Sequence, residues 1–206
     1  MIRFDDITEK LDSYLTKEDM EEVKKAYAYS AKVHAGQVRK SGEAYLIHPL
    51  EVAWLLTELR LDEASVVTGL LHDTIEDTLT SMDDIRDMFG PEIALMVDGV
   101  TKLSEIRFNT DEHKQAENFR KMLLTINDDI RVVIIKIADR LHNMQTLDSM
   151  TESKQIKAAS ETLYIYAPLA HRIGLYNIKN ELEDLSLKYT DSKSFEHIKN
   201  KIEDSK

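Results

Sequence analysis

Apolar residues recur at helical spacing through most of the chain, and the breaks fall at its few glycines and prolines. Val23, Ala26, Tyr27, Ser30 and Val33 lie three or four positions apart, the period of one helix face. Thr16, with Asp19 three residues on, can cap this segment, and Gly36 is placed to end it. Residues 36 to 47 read as a loop. His48 then precedes Pro49, whose fixed φ suits a first helical position, so a helix is predicted from Pro49 to about Leu59. Asp62 can cap another through Val66, Val67, Leu70 and Leu71. Ser81 opens a short helix to Phe89, Gly90 stops it, and Pro91 begins a new one. Residues 104 to 114 lose periodicity and read as a connection. The clearest pattern follows in Ile130, Val133, Ile134, Ile137, Leu141 and Met144. Its VVII run alone would also suit a buried strand, but it continues at helical period into KIADRLHNM. Two further helices are predicted around 152–166 and 175–189, separated by Pro168 and Gly174. The fold class expected is all-α, a bundle of about ten helices.

Composition narrows the function classes. The 206 residues carry 27 Lys and Arg against 38 Asp and Glu, a net charge of −11. That balance argues against a duplex nucleic-acid partner, which is gripped by clustered cations. Cysteine is absent, which excludes disulfides, thiolate metal sites and a thiol nucleophile. No apolar run approaches the ~20 residues that span a bilayer, and MIRFDDITEK lacks the basic and apolar blocks of a signal peptide. The expectation is a soluble cytoplasmic protein without a membrane partner. One domain is expected over 1–190, followed by a polar segment over 191–206.

Several polar residues interrupt these apolar patterns. His72-Asp73 follows the buried-looking VVTGLL, with Glu76 and Asp77 one turn on. Seven histidines in this composition would give about 0.6 such dipeptides by chance, so an isolated pair can equally be a surface feature. Asp139 stands in an otherwise apolar helix, where a carboxylate calls for a cation or an arginine. Asn143 and Thr146 follow it on the same face. His48, at a helix start, can serve as a cap or a ligand. Together His48, His72, Asp73 and Asp139 make an N2O2 set without sulfur, suited to Mn²⁺, Fe²⁺ or Zn²⁺. Glu76 and Asp77 could then orient or deprotonate a metal-activated water, or could be a solvated helix end. Arg39, Lys40 and Ser41 lie in the loop before His48, a combination that can grip phosphate or simply be solvated.

The strings HAGQVRKSGEAYLIHP (34–49), GLLHDTIEDT (69–78), VDGVTKL (97–103), QAENFRKM (115–122), IKIADRLHNMQTL (135–147) and YAPLAHRIGLYNIKNELEDLSLKY (166–189) together resemble the hydrolase region of the Rel/SpoT alarmone family, within the HD phosphohydrolase superfamily. The resemblance runs from about residue 16 to 190. It implies an all-α bundle that binds Mn²⁺ and hydrolyses the 3′-diphosphate of guanosine tetraphosphate and pentaphosphate, (p)ppGpp, to GDP or GTP and pyrophosphate in stringent-response control. Carried over residue by residue, it implies metal ligation by His48, His72, Asp73 and Asp139, and water activation by Glu76 and Asp77. It also implies base and phosphate contacts by Arg39, Lys40 and Ser41, and nucleoside contacts by Asn143 and Thr146. Two positions depart from the family's common pattern: Ala44, where many members carry Pro, and Gln145, where many carry Arg. A covalently attached synthetase domain follows the last string in longer members, so a piece of a bifunctional enzyme is expected, with a standalone small hydrolase as the alternative. Two other functions stay open: an HD phosphohydrolase for a different nucleotide, and a ppGpp-sensing regulatory module.

Overall fold

A computed structural model of the chain describes residues 2–106, 117, 120, 124 and 128–204. The expected connection lies outside the described residues from position 107 to 114, as does most of the QAENFRKM string. The described structure is helical, and its only extended pairing is a single antiparallel bridge between Val38 and Ala44. It divides into two compact units, Met1–Asp139 and Arg140–Lys206.

In the first unit the helices are α1 (Phe4–Leu11), α2 (Lys17–Val33), α3 (Ile47–Glu58), α4 (Glu63–Leu71), the short α5 (Thr74–Asp77), α6 (Met82–Ser104) and the first part of α7 (Ile130–Gln145). Their starts are set locally. Thr16 and Asp19 cap α2 reciprocally, with Asp19 N donating to Thr16 Oγ1 at 3.2 Å and Thr16 N to Asp19 Oδ2 at 2.9 Å. Ser81 and Asp84 repeat this at α6, and Asp62 accepts from Ser65 N at 3.2 Å to open α4. Gly90 interrupts α6 at φ 84°, ψ 170°, as the Gly90-Pro91 pair predicted. Two boundaries differ from expectation. α3 begins at Ile47, which places Pro49 in the first turn rather than at its first position; proline costs nothing there, because first-turn N–H groups lack helical partners. α1 lies ahead of the first predicted element, held by a Phe4 ring stacked on Tyr27 with centroids 4.0 Å apart.

α4 is the centre of this unit. Ala64 to Leu71 are all buried, and the helix packs against α2, α3 and α6. A helix apolar all round belongs in a core, where each fully buried leucine such as Leu70 or Leu71 contributes roughly 2 kcal/mol. Gly69 lets α3 approach, since a Cβ there would lie 2.6 Å from Leu56 Cδ1. That close approach brings His72, at the end of α4, next to His48 on α3.

The second unit holds the rest of α7, a 3₁₀ turn at Leu147–Ser149, α8 (Glu152–Glu161), a π turn at Thr162–Tyr166, α9 (Ala167–Arg172), α10 (Tyr176–Thr190) and α11 (Ser192–Glu203). Pro168 was expected to separate two helices. Instead the wider π turn absorbs the missing hydrogen bond, and Pro168 sits in the first turn of α9. Gly174, at φ 82°, is where the chain turns after α9. The segment expected to be a polar tail is helical as α11, capped by Asp191 through Ser194 N at 3.1 Å. Arg140 stacks over the Tyr166 ring at 4.3 Å and pairs with Glu161 at 3.4 Å.

Candidate metal centre

Four side chains from two helices and the end of a third converge inside the first unit. His48 comes from the first turn of α3, His72 from the end of α4, Asp73 from the residue after it, and Asp139 from α7. The two imidazole centroids lie 5.2 Å apart. His48 Nε2 is 3.2 Å from Asp139 Oδ1 and 3.4 Å from Asp73 Oδ2. His72 Nε2 is 3.0 Å from Asp73 Oδ1 and 3.8 Å from Asp139 Oδ1. His48, His72 and Asp139 are buried and can each offer one ligand atom, all within 4.8 Å of one another. Asp73 is the more open of the carboxylates, its side chain 17% exposed against 4% for Asp139.

These residues fit a divalent metal. Ligand atoms about 2.1 Å from one ion lie roughly 3.0–3.5 Å apart when adjacent, close to the separations here. His72 Nδ1 is 2.8 Å from the Gly69 carbonyl, which fixes the ring so that Nε2 faces the centre, the usual arrangement behind a metal-bound imidazole. That buried Nε2 makes no hydrogen bond of acceptable geometry despite the neighbouring carboxylates. The electrostatics are those of a shared ion site: burial pulls the His72 pKa down, but Asp73 and Asp139 outweigh it and push it up to about 10. Burial opposes ionisation of Asp73 and Asp139, yet His72 beside the first and Lys136 beside the second hold both carboxyls well below their usual range.

Glu76 and Asp77 sit on α5, which Asp73 precedes directly. Burial raises the Glu76 pKa, against the opposing pull of Ser104 and Lys136. Asp77 is tied down twice from the loop before α3. Its carbonyl accepts from Gln37 Nε2 at 2.9 Å, and its carboxylate meets the Tyr45 hydroxyl, which also lies 2.7 Å from Asp73 Oδ2. Tyr45 was not singled out in the sequence; the Tyr three residues before a ligand histidine was the only available signal. Its ring stacks on His34 with centroids 4.5 Å apart, and His34 Nδ1 lies 2.8 Å from Gln37 Oε1.

Arg39, Lys40 and Ser41 form the tip of this loop. Val38 pairs with Ala44, Arg39 N donates to Glu43 O at 2.8 Å, and Gly42 takes φ 87° to close the turn. The loop's two flanks, Gln37 and Tyr45, are the residues that grip α5, so the basic tip is anchored to the carboxylates of the site. Asn143 stands four positions past Asp139 on α7, and Thr146 just beyond the helix end, its hydroxyl on the His142 carbonyl at 3.1 Å. Both belong to the second unit. There Gln145 Nε2 donates to Glu181 Oε1 at 2.7 Å.

The HD domain family matches residues 26–176, which contain all eleven candidate residues. The chain belongs to the HD domain family. Its relatives carry the resemblance to Rel/SpoT proteins. It is 56% identical to a GTP pyrophosphokinase of Myxococcus xanthus over 97% of this chain and 27% of that protein. It is 45% identical to a guanosine-3′,5′-bis(diphosphate) 3′-pyrophosphohydrolase of Aquifex aeolicus, over 90% of this chain and 26% of that one. It is 44% identical to the bifunctional (p)ppGpp synthase/hydrolase SpoT of Escherichia coli over the same shares. The chain thus spans about a quarter of the length of these curated relatives. Among solved structures, a metazoan ortholog of SpoT described as hydrolysing ppGpp aligns with a TM-score of 0.58 and 23% identity, over 84% of this chain and 95% of that one. At that identity the likeness supports the all-α HD fold. No helix among the described residues is long and apolar enough to cross a membrane.

Proposed function

We propose that this chain is the hydrolase region of a Rel/SpoT protein, a Mn²⁺-dependent (p)ppGpp 3′-pyrophosphohydrolase. The observation that carries this is the buried His48, His72 and Asp139 group, with Asp73 at its open side and Glu76 and Asp77 immediately beyond. Relatives named for ppGpp hydrolysis and synthesis supply the substrate class. The donor set of two imidazoles and two carboxylates, without sulfur, suits Mn²⁺ among the divalent ions. A bound metal would lower the pKa of water and polarise a phosphoryl oxygen.

The protein's own groups would do the rest. Arg39 and Lys40 grip the 3′-diphosphate, Ser41 adds a hydroxyl, and Asn143 and Thr146 hold the nucleoside. Glu76, its pKa raised by burial, accepts the proton of the attacking water, and Asp77, fixed by Tyr45 and Gln37, orients that water. Water oxygen bonds to the phosphorus attached to the 3′ oxygen, that P–O bond breaks, and a proton passes to the ribose 3′ oxygen. The products are pyrophosphate and GDP or GTP. The longer relatives support a synthetase domain attached in the full-length protein, and a nucleotide substrate supports a cytoplasmic location. A substrate panel tests the assignment: pyrophosphate release from ppGpp should exceed turnover of deoxynucleoside triphosphates, and a preference for the latter would overturn it.

A further inference from the structure

One cation in the first unit is buried against the metal centre. Lys136 is 9% exposed, and its ammonium bonds Asp139 Oδ2 and lies 2.9 Å from Ser104 Oγ. Lys136 and Asp139 are three apart on α7, so their side chains share a face. Asp139 is therefore divided between two tasks. Its Oδ1 faces His48 and His72 at 3.2 and 3.8 Å, while Oδ2 is held by Lys136. Ser104, at the end of α6, extends this arrangement. Its hydroxyl accepts from Lys136 and donates to the Val100 carbonyl at 3.1 Å, and Ser104 and Lys136 both draw the Glu76 pKa down against burial.

A buried ion pair is weak grounds for stability, since desolvation offsets the attraction and an apolar pair often serves as well. Its geometry has a consequence for chemistry instead. A carboxylate with both oxygens available can chelate one ion through both, and so fill a coordination position that a water or substrate oxygen needs. We infer that Lys136 is a positioning residue that restricts Asp139 to ligation through Oδ1 alone and, through Ser104, sets Glu76 beside the position thereby kept open. This rests on the metal-hydrolase proposal above. The pair also accounts for an ammonium so close to a cation site: the lysine's charge is spent on the oxygen turned away from it.

The test uses the whole chain titrated with Mn²⁺, the wild type beside Lys136→Met, Lys136→Arg, Ser104→Ala and Ser104→Thr. Water-proton relaxation by bound Mn²⁺ counts the waters on the ion, independently of turnover. In Lys136→Met the Mn²⁺ affinity should be retained or tightened, while the relaxation enhancement falls by about one coordinated water. With ppGpp, kcat should drop on the order of 100-fold, the scale of a small misplacement in a catalytic constellation, with KM little changed. Lys136→Arg should restore the water count. Ser104→Ala should leave the Mn²⁺ affinity and water count as in the wild type and lower kcat about tenfold, and Ser104→Thr should recover it. An unchanged water count in Lys136→Met overturns the inference, as does a Mn²⁺ affinity lost in proportion to thermal stability. Should Lys136→Met fail to fold, wild-type kcat in Ser104→Ala overturns it instead. Absent ppGpp turnover by the wild type would sink the hydrolase assignment, while the water count would still decide the role of Lys136.

Discussion

The Tyr45 hydroxyl lies 2.7 Å from Asp73 Oδ2 and within reach of Asp77 as well, so one phenol joins a carboxylate of the candidate metal centre to a carboxylate of the proposed water-activating pair. Burial and then the two negative charges push its pKa far up, so Tyr45 keeps its proton and acts only as a donor. Tyr45→Phe should leave both carboxylates short of that donor and weaken metal binding about tenfold or more, the usual cost of losing an outer partner of a ligand. Titration calorimetry with Mn²⁺ checks this, and wild-type affinity in the variant would show that the phenol is only packing.

What could be read from the sequence and what could not divide by distance along the chain. Thr16, Asp62, Ser81 and Gly90 act on groups within three residues, and the helix boundaries they signal are where the structure has them. His48, His72 and Asp139 were legible because a polar residue in an apolar helix demands a partner. Tyr45 was not, because its role depends on Asp73, 28 positions away; Lys136 lies only three residues before Asp139, but its link to Ser104, 32 positions away, leaves no local signal. α11 was missed for another reason: it has no buried residue, so its sparse Phe195, Ile198 and Ile202 stripe gives little hydrophobic signal in a polar stretch.

Local charge makes the metal part of substrate recognition. Asp73, Glu76, Asp77 and Asp139 would face the proposed polyanionic substrate, and without metal Arg39, Lys40, the buried Lys136 and a protonated His72 only balance them. A divalent ion, even with His72 deprotonated, makes the balance net positive. Binding of ppGpp to a slow variant, Asp77→Ala, should therefore weaken at least tenfold when the metal is chelated. Unchanged affinity after chelation would contradict this.

Metal uptake should release a proton. His72 is held near pKa 10 by Asp73 and Asp139 against the pull of burial, and its Nε2 must be proton-free to act as a ligand. Affinity for Mn²⁺ should climb by up to about tenfold per pH unit below that value. Calorimetry in two buffers of different ionisation enthalpy measures the release directly, and equal heats in both would rule it out.

Away from the site, Glu63 gives the fold a pH dependence. Burial first, then Asp19, Glu22, Asp62 and Glu92, raise its carboxyl to about 7. The folded state holds this proton more tightly than the unfolded chain does. Its contribution is thus complete below the unfolded value near 4.5 and is lost as pH rises through 7. Solvent screening of this half-exposed group limits the effect to about 1 kcal/mol or less. Glu63→Gln should raise Tm by about 2 °C at pH 8 and leave it unchanged at pH 4.5. Equal shifts at both pH values would point to packing instead of charge.

The most direct test is pyrophosphate release from ppGpp by the purified chain, with Mn²⁺ and with chelator, beside the Asp73→Ala and Asp77→Ala variants. Rapid release with Mn²⁺, abolished by chelation and by either substitution, is the predicted result. A wild-type chain that binds Mn²⁺ and ppGpp yet releases no pyrophosphate would contradict the hydrolase account and favour a nucleotide-sensing module.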